Sequence, residues 1–353
     1  MSKKTNDMPR MRKIAVGKFG QKLIFNRDSN ECKRSNTNGN VGAYLFYKLL
    51  FETSPYDMFV VIGDNDLNTF DVNPFGNVID GTQYTLDELL TMDIDFGIMN
   101  IGLLNENNSE DFLMSYINSS GIKWLLVADD PRCLDTKAKD FVNLPRKIVS
   151  QFEGKTNFCG KEYEVEYVEI ERANCYLKKY DEISNERVND FVVIANDAGK
   201  YDRIKKVKLF TKGIECVKIY GRVSDKVKNA NDKFKGEVDY ETINKIMRES
   251  KTTFLVPIKE NWVTSKYVEV LINGVLPIFH KDYATNLLAY PFTDKNIFDI
   301  VSTPRELKKL VEFYSKNEKA RKDKVEFLRK YLLDFYRSGF PLSYKLMLIC
   351  EKM

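Results

Sequence analysis

The stretch KTTFLVPIKENWVTSKYVEVLINGVLPIFH, residues 251–280, contains the pattern that decides the fold. Its segments TTFLV and GVLPIF are short apolar runs of the kind that form buried strands. Between them, SKYVEVLI has the apolar spacing of a helix, and Asn273 and Gly274 follow it as a turn. A strand, a helix and a second strand in this order predict a parallel pair joined by a crossover helix.

The same alternation extends along the rest of the chain. Apolar strands are predicted at KIAV, DMFVVIG, IDFGIMNIG, KWLLVA, DFVVIAND and IECVKIYG, with helical patterns between them. The helix at TLDELLTM begins with a capping box, in which Thr85 is followed three residues later by Glu88. Strict alternation predicts parallel sheets covered by helices on both faces. We therefore expect an α/β fold with two doubly wound, Rossmann-like domains.

The connection between the domains is expected where this alternation weakens, between about 146 and 185, because the segments there are polar and mixed. The predicted organisation has four parts. They are a flexible tail (1–11), an N-terminal domain (12–183), a C-terminal domain (184–332) and closing helices that pack back on the N-terminal domain (333–353).

Composition limits the class of protein. A chain of 353 residues, 43% of them hydrophobic, can bury two cores. Its apolar runs are far shorter than the ~20 residues of a membrane helix, and the polar first dozen residues do not resemble a secretory signal. We expect a cytoplasmic monomer without a membrane partner. Six scattered cysteines and one histidine argue against a zinc site or a disulfide framework.

Charge alone does not identify a partner. Lys and Arg number 55 against 51 Asp and Glu, so the net charge of +4 neither requires nor excludes nucleic acid. The basic runs at 203–212 and 320–331 are interpreted as helices with solvated charged faces. The single histidine, His280, follows a predicted strand and is either a structural residue or a functional imidazole.

Candidate functional residues lie in the loops after the strands, because open α/β sheets bind ligands at the carboxyl ends of their strands. After KIAV, Gly17 and Gly20 let a ligand approach the backbone or form a tight turn. After KWLLVA come Asp129 and Asp130, with Arg132 nearby. Either one of these carboxylates is a general base whose pKa its charged neighbours adjust, or the segment is an Asp-Pro turn.

Two further loops carry charged residues. After FVVIAND, Lys200 and Arg203 lie near a helix start, where cations do not favour the helix dipole and either bind phosphate or face solvent. In the opening stretch, Thr264 or Ser265 is expected to cap the helix. Lys266 and Glu269 share a face there, and either contact a nucleotide or form a surface ion pair.

With these residues in place, the opening stretch resembles the nucleotide-binding segment of GT-B glycosyltransferases, in which a basic residue, two spacers and a glutamate begin a helix. Within that fold the chain is similar, in short blocks, to the phage DNA β-glucosyltransferases. RKIAVGKFG matches the first strand and loop, AYLFYK the first helix, and WLLVADDPR the strand before the catalytic aspartate. FVVIAND, VKIYG and FKGEVDY follow in the same order. The resemblance implies two domains facing a central cleft.

The resemblance also implies roles for individual residues. Glu269 would hold the ribose, Lys266 and Arg203 the diphosphate, and the backbone near Val238 the uracil. Gly20, Lys200 and Gly221 complete the nucleotide-sugar set, and Asp130 or Asp129 would be the base. Two positions depart from the family pattern. Gly199, beside Lys200, replaces a phosphate-binding arginine, and Val41 replaces a sugar-binding glutamate, so the sugar is glucose or a pentose such as arabinose.

The implied activity is transfer of a sugar from a UDP-sugar to the hydroxyl of a hydroxymethylated base in phage duplex DNA, with inversion. The hydroxymethylated nucleobase would be flipped out of the duplex, and Lys123, Arg132 and Arg146 would contact phosphates of the DNA backbone. No tightly bound metal is expected, although stimulation of the transfer reaction by a divalent cation is compatible with the resemblance. The alternatives are a transferase with a polysaccharide or protein acceptor, and a nucleotide-sugar-binding module without catalysis.

Overall fold

The computed structural model describes residues 10–17, 23–26, 31–34, 41–62, 76–100, 111–128, 134, 141–170, 180, 182–183, 186–196, 202–223, 233–289 and 297–353. The chain divides into two compact units, Met1–Ala173 with Gly339–Met353, and Asn174–Ser338. Over the described ranges, every helix is too short or too polar to cross a membrane.

The first unit is built around one mixed sheet. Its elements are β1 (Lys13–Gly17), β2 (Leu23–Asn26), β3 (Glu31–Arg34), α1 (Val41–Thr53), β4 (Met58–Ile62), β5 (Val78–Asp80), α2 (Leu86–Thr91), β6 (Phe96–Asn100), α3 (Asp111–Ser119), β7 (Trp124–Ala128), β8 (Lys147–Ser150), β9 (Gly154–Phe158) and β10 (Lys161–Tyr167). The described strands of this sheet lie in the order β5-β4-β1-β6-β7-β8-β10-β9. All neighbours are parallel except β9 and β10, while β2 and β3 form a separate antiparallel pair. The central strands are fully buried, as expected for a sheet covered on both faces.

The second unit is contiguous and has a parallel sheet. Its elements are β11 (Asn189–Ile194), α4 (Arg203–Thr211), β12 (Val217–Tyr220), β13 (Phe234–Gly236), α5 (Tyr240–Arg248), β14 (Ser250–Leu255), α6 (Lys266–Ile272), β15 (Leu276–His280), α7 (Thr285–Leu288), β16 (Ile300–Val301), α8 (Pro304–Lys316) and α9 (Glu318–Leu332). The strand order is β13-β12-β11-β14-β15-β16. Both predicted Rossmann-like domains are therefore confirmed.

The two sheets share one connectivity. In each, the strands lie in the order third, second, first, fourth, fifth and sixth, and the first unit adds the β9–β10 hairpin at one edge. In the second unit, α4 and α8 pack together against β11 and β14, while α6 and α9 contact β15. Because right-handed crossovers leave β11 and β14 in opposite directions along the sheet, their helices cover opposite faces.

The connection between domains was expected between about 146 and 185, and the two units divide within that range, after Ala173. Residues 147–167 of the range, however, form β8 and the β9–β10 hairpin of the first sheet. The hairpin turns at Cys159 and Gly160, both with positive φ, as a two-residue turn between twisted strands requires. Along β10, buried Tyr163 and Val165 alternate with exposed glutamates. The charge that obscured the pattern therefore belongs to the solvated face of a strand.

The last helix, α10 (Phe340–Glu351), belongs to the first unit. Its buried residues Leu342 and Leu346 are 2% and 0% exposed. Charged contacts secure its far end, because Arg12 Nη1 lies 2.5 Å from Glu351 Oε1 and Lys123 Nζ donates to the Met353 carbonyl at 2.6 Å. Arg12 and Lys123 thus tie α10 to the unit in which they lie.

Candidate active site

The carboxyl edge of the second sheet brings together five residues that the sequence assigned to a nucleotide site. Arg203 begins α4 after β11, Gly221 follows β12, Val238 follows β13, and Lys266 and Glu269 lie on α6 after β14. These four strands are neighbours. The strand order reverses between β11 and β14, and such a switch point opens a crevice between helices that leave on opposite faces. Arg203 and Lys266 lie at that point.

The start of α6 differs from our expectation that Thr264 or Ser265 caps it with a side chain. Ser265 occupies the N-cap position without a side-chain hydrogen bond, because its backbone is already helical (φ −54°, ψ −21°). Thr264 is held by Tyr283 instead. Its N–H donates to the Tyr283 hydroxyl at 3.0 Å, and that hydroxyl donates to the Thr264 carbonyl at 2.8 Å. The chain entering α6 is therefore fixed from the loop after β15 rather than by a cap.

Lys266 and Glu269 form an ion pair across the first turn of α6. Lys266 Nζ lies 2.5 Å from Glu269 Oε2, and the two side chains are 23% and 24% exposed. The contact is the ion pair that the spacing allowed, and such pairs stabilise a helix by only about 0.2–0.5 kcal/mol. The carboxylate keeps lone pairs and the ammonium keeps protons for further hydrogen bonds. The pair is thus compatible with binding of a polar ligand.

Gly221 is required by local packing. Its φ of +140° is open to glycine, and a Cβ there would lie 2.3 Å from the carbonyl oxygen of Ala195. Its N–H donates to the Gly236 carbonyl at 2.9 Å. Next to it, the Arg222 N–H donates to Asn196 Oδ1 at 2.8 Å. The ends of β11 and β12 therefore approach too closely for any side chain at residue 221.

Val238 is half-buried between β13 and α5. The following residue, Asp239, caps α5 by accepting a hydrogen bond from the Thr242 N–H at 2.8 Å, and this bond lowers the pKa of the Asp239 carboxyl. On the other side of Val238, Glu237 pairs with Arg222 at 2.9 Å. Both flanking residues fix the backbone at Val238, which the resemblance assigns to recognition of a base.

The basic run at the start of α4 is only partly solvated. Arg203 is half-buried, and Lys205 is exposed and pairs with Asp202 at 2.7 Å. Lys206 instead contacts Asp282, a buried carboxylate at the end of β15. The interpretation of 203–212 as a solvated face is therefore wrong at Lys206, which joins α4 to the loop after β15.

His280 has a structural environment. The side chain is 2% exposed, and its Nδ1 accepts a hydrogen bond from the Asp282 N–H at 3.1 Å. The ring packs edge-on against Phe210 with centroids 4.8 Å apart. Burial lowers the pKa of the imidazole, which disfavours a charged histidine at neutral pH. Of the two interpretations of His280, these contacts favour the structural one.

The basic run at 320–331 contains residues that our sequence interpretation missed. Arg321 and Arg329 on α9 are 0% and 4% exposed, so the prediction of a solvated charged face is wrong for both. A third arginine, Arg187, is 7% exposed and lies just before β11. Sequence reasoning missed the burial of these residues because each donates to distant backbone carbonyl groups, which leave no trace in the residue pattern.

Several predicted residues lie outside the described part of the chain: Gly20, Asp129, Asp130, Arg132 and Lys200. Val41 is the first residue of α1, and its side chain is likewise outside the description. β7 ends at Ala128, one residue before Asp129. Within the described ranges, no group of three or more His, Cys, Asp or Glu side chains is arranged to hold a metal ion.

Two residues proposed for DNA contact lie where the amino ends of the strands of the first sheet meet. Lys123 precedes β7 and Arg146 precedes β8, and these strands are parallel neighbours. Both residues are exposed at the amino ends of the strands. The Lys123 ammonium also contacts the carbonyl of Met353. The two residues therefore do not lie at the carboxyl edge of this sheet, where β7 leads toward the predicted general base.

Comparison with known proteins gives matches in structure. No family model matches the sequence, and no curated protein matches it. T4 phage β-glucosyltransferase in complex with UDP-glucose matches with a TM-score of 0.63 at 13% identity, covering 96% of this chain and 99% of that one. An α-glucosyltransferase bound to UDP-glucose and DNA with an abasic site gives 0.57 at 11%, covering 97% and 99%.

A third structure comes from antibiotic biosynthesis. AviGT4, a glycosyltransferase of avilamycin A biosynthesis, matches with a TM-score of 0.54 at 8% identity, covering 97% of each chain. All three matches extend over nearly the whole chain and thus over both units. With its two Rossmann-like sheets of the same strand order, the chain has the GT-B fold of these glycosyltransferases.

Proposed function

We propose that this protein is a glycosyltransferase that moves a sugar from a UDP-sugar to the hydroxyl of a hydroxymethylated base in duplex DNA. One observation carries the proposal. Arg203, Lys266 and Glu269 lie at the switch point of the second sheet, in a fold whose solved examples include complexes with UDP-glucose. Two cations and one carboxylate are the groups that a nucleoside diphosphate requires, for its phosphates and its ribose hydroxyls.

The donor would bind across the carboxyl ends of β13, β12, β11 and β14. Arg203 and Lys266 are assigned to the diphosphate, Glu269 to the ribose and the backbone at Val238 to the uracil. Gly221 leaves the backbone uncovered between them. The proposal extends this set to Gly20 and Lys200, and gives Val41 the role of selecting the sugar. The ion pair of Lys266 and Glu269 would already orient both side chains before the nucleotide arrives.

The proposed reaction is a single displacement. Asp129 or Asp130 removes the proton of the acceptor hydroxyl while its oxygen attacks the anomeric carbon, and the bond from that carbon to the diphosphate breaks. Arg203 and Lys266 stabilise the negative charge on the departing UDP. The anomeric configuration is inverted. A divalent cation is an addition that the assay must test, since a neighbouring T4 structure contains UDP with Mn²⁺.

The choice of DNA as acceptor rests on the resemblance of the sequence blocks and on the neighbouring T4 and DNA-bound structures. The fold alone does not select DNA, because AviGT4 has the same fold and is involved in avilamycin A biosynthesis. A transferase with a polysaccharide or protein acceptor is the alternative. The third candidate is a module that binds a nucleotide-sugar without catalysis.

The first experiment is mass spectrometry of hydroxymethylcytosine-containing duplex DNA after incubation with the protein and a panel of UDP-sugars, with and without a divalent cation. A hexose or pentose mass increment on the base would support both donor and acceptor. Release of UDP without an increment would keep the donor site and reject the DNA acceptor. No turnover with measurable UDP binding would favour the non-catalytic module.

Two variants test the assignment of the general base. Asp129→Asn and Asp130→Asn, made separately, should leave UDP binding intact, and one of them should abolish sugar transfer. If both variants transfer sugar like the unaltered protein, neither aspartate is the base. Unmodified cytosine DNA is the matched control substrate, because it lacks only the hydroxymethyl acceptor.

A further inference from the structure

Four successive backbone carbonyl groups, at residues 271–274, accept hydrogen bonds from three buried arginine side chains. The pairs are Arg329 Nε with Leu271 (2.7 Å), Arg329 Nη2 with Ile272 (3.0 Å), Arg187 Nη2 with Asn273 (3.0 Å) and Arg321 Nη1 with Gly274 (3.2 Å). These carbonyls end α6, the helix whose first turn carries Lys266 and Glu269. Last-turn carbonyls lack the usual i+4 partner within a helix, so the arginines supply donors to acceptors that the helix itself satisfies only in part.

The end of α6 is shaped to admit these side chains. Gly274 has a φ of +71°, its N–H donates to the Leu271 carbonyl, and the Val275 N–H donates to the Val270 carbonyl, which together make a Schellman motif. A Cβ at Gly274 would lie 2.5 Å from Arg187 Nη2. The turn expected from Asn273 and Gly274 is thus confirmed. The space beside the glycine is filled by a guanidinium group.

This arrangement is costly as a purely structural device. Three cations are buried together, and burial, followed by the charges of Arg321 and Arg329, lowers the pKa of Arg187 to about 10. Glu318 pairs with Arg321 at 2.6 Å, and the negative end of the α6 dipole offsets part of the remaining charge. Apolar side chains of similar volume often stabilise such a site at least as well. The cluster is therefore better explained by what it holds in place.

The cluster connects two helices that begin at the proposed donor site. Arg187 also donates to the Ser250 carbonyl at 2.6 Å and to the Met247 carbonyl at 3.4 Å, at the end of α5. α5 begins directly after Val238 and Asp239. α6 has only seven residues and is therefore about 10 Å long, so a displacement of its carboxyl end reaches its first turn.

We propose that Arg329 and Arg187 are positioning residues of the donor site, which hold α6 against α5 so that Lys266, Glu269 and the backbone at Val238 contact one nucleotide. They act through the helices and do not touch the ligand. The inference rests on the proposed function, because it assumes that this edge binds a UDP-sugar. Affinity for the nucleotide is then set partly at the carboxyl end of α6, although the residues that contact the nucleotide lie in its first turn.

The test compares UDP binding by calorimetry in Arg329→Ala, Arg329→Lys and the unaltered protein, below the temperature at which any of them unfolds. The Ala variant should bind on the order of ten- to a hundredfold more weakly, because small displacements of contact groups reduce binding and catalysis by such factors. The Lys variant should be intermediate, since an ammonium keeps the charge but lacks the planar fork that donates to two carbonyls.

Arg329 offers a chemical rescue. Its guanidinium lies 4.4 Å from the Tyr180 ring centroid, beside a cavity of about 490 Å³ that is also lined by Lys322. Free guanidinium ion has access to the space left by Arg329→Ala through this cavity. Low, non-denaturing concentrations of guanidinium chloride should therefore restore part of the UDP affinity in the Ala variant and leave the unaltered protein unchanged.

Lys251→Met is the matched control. Lys251 lies in the same unit and donates to the Ser315 carbonyl of α8 at 3.1 Å and to Asp190 of β11 at 2.7 Å, so its hydrogen-bond partners belong to elements other than α6. The Lys251→Met variant should have a lower unfolding temperature and an unchanged affinity for UDP. Normal affinity in Arg329→Ala, or an equal loss in Lys251→Met, would overturn the inference and leave the donor site standing. Failure of the unaltered protein to bind UDP would overturn the proposed function and this inference with it.

Discussion

Gly221 illustrates how a residue in a proposed ligand site is explained first by its neighbours. The resemblance of the sequence to GT-B glycosyltransferases assigned it to a nucleotide-sugar site. The structure adds a reason that needs no ligand, because the backbone of Ala195 fills the space where a side chain would begin. Both roles are compatible, since close strand packing leaves the backbone bare at the edge of the sheet.

We predict that Gly221→Ala destabilises the second unit. The backbone conformation alone costs about 1–3 kcal/mol for a residue with a Cβ, and the contact with Ala195 adds to it. Gly213→Ala is the control, because Gly213 lies in the same unit with open space around it. Calorimetric unfolding should show a lower transition only for the Gly221 variant. A normal transition with lost UDP binding would instead make Gly221 a ligand contact.

Residues in the buried arginine cluster mark the limit of sequence reasoning. Arg321 and Arg329 sit in a run of lysines, arginines and acids that is typical of a solvated helix. Their partners are carbonyl groups about fifty residues away in the chain, and any sequence can supply a carbonyl group. By contrast, Asn273 and Gly274 were predictable, because a left-handed residue after a helix favours glycine.

At the scale of elements, the start of α2 follows the predicted capping box. The Glu88 N–H donates to Thr85 Oγ1 at 3.3 Å, and the Thr85 N–H donates to Glu88 Oε2 at 2.7 Å. The same device begins α8, where Thr303 and Glu306 form a second box. The hydrogen bonds from Thr85 lower the pKa of the Glu88 carboxyl.

We predict that Thr85→Ala lowers the stability of the first unit by about 1 kcal/mol at neutral pH, as loss of an N-cap usually does. A Glu88→Gln variant tests the charge. Because the folded pKa of Glu88 is lowered, its contribution is present above the unfolded value of 4.5 and is lost as pH falls through the folded value. The stability difference between Glu88→Gln and the unaltered protein should vanish at low pH. A difference that persists there would contradict the capping role.

Elements of the parallel sheets could be predicted because their strands are continuously apolar, as in WLLVA of β7. The β9–β10 hairpin could not, since alternating glutamates match a loop as well as a half-exposed strand. Lys155 lies opposite Glu164 and pairs diagonally with Glu162 at 2.9 Å, a contact between strands that a single stretch cannot reveal. The missing cap at Ser265 likewise depends on Tyr283, a residue of another loop.

At the scale of the molecule, repetition of one strand order in both units is the main result. A doubly wound sheet has one switch point, so the chain has two, and the described residues predicted for the donor lie along the carboxyl edge that contains the second. The order could not be obtained from the sequence, because alternation of strands and helices allows several orders. The expected GT-B architecture came from the resemblance rather than from the periodicity.

We predict that removal of residues 339–353 destabilises the first unit alone. α10 contacts α1 and buries Leu342 and Leu346 in that unit. The calorimetric transition of the first unit should fall or disappear, while UDP should still raise the transition of the second unit, as a ligand of the native state does. The control is Glu351→Ala, which removes the contact with Arg12 and leaves the pair of Arg12 with Asp57 in place, so it should have a smaller effect. A lowered second transition would show that α10 supports that unit too.

The return of α10 to the first unit has a consequence for synthesis. A ribosome completes residues 174–338 before it makes the helix that finishes the earlier unit. The second unit can therefore fold while the first still exposes the surface that α10 will cover. Although most of the first unit is synthesised before the second, its folding is expected to finish after that of the second. A chaperone at the surface that α10 covers would then govern the yield of native protein in the cell.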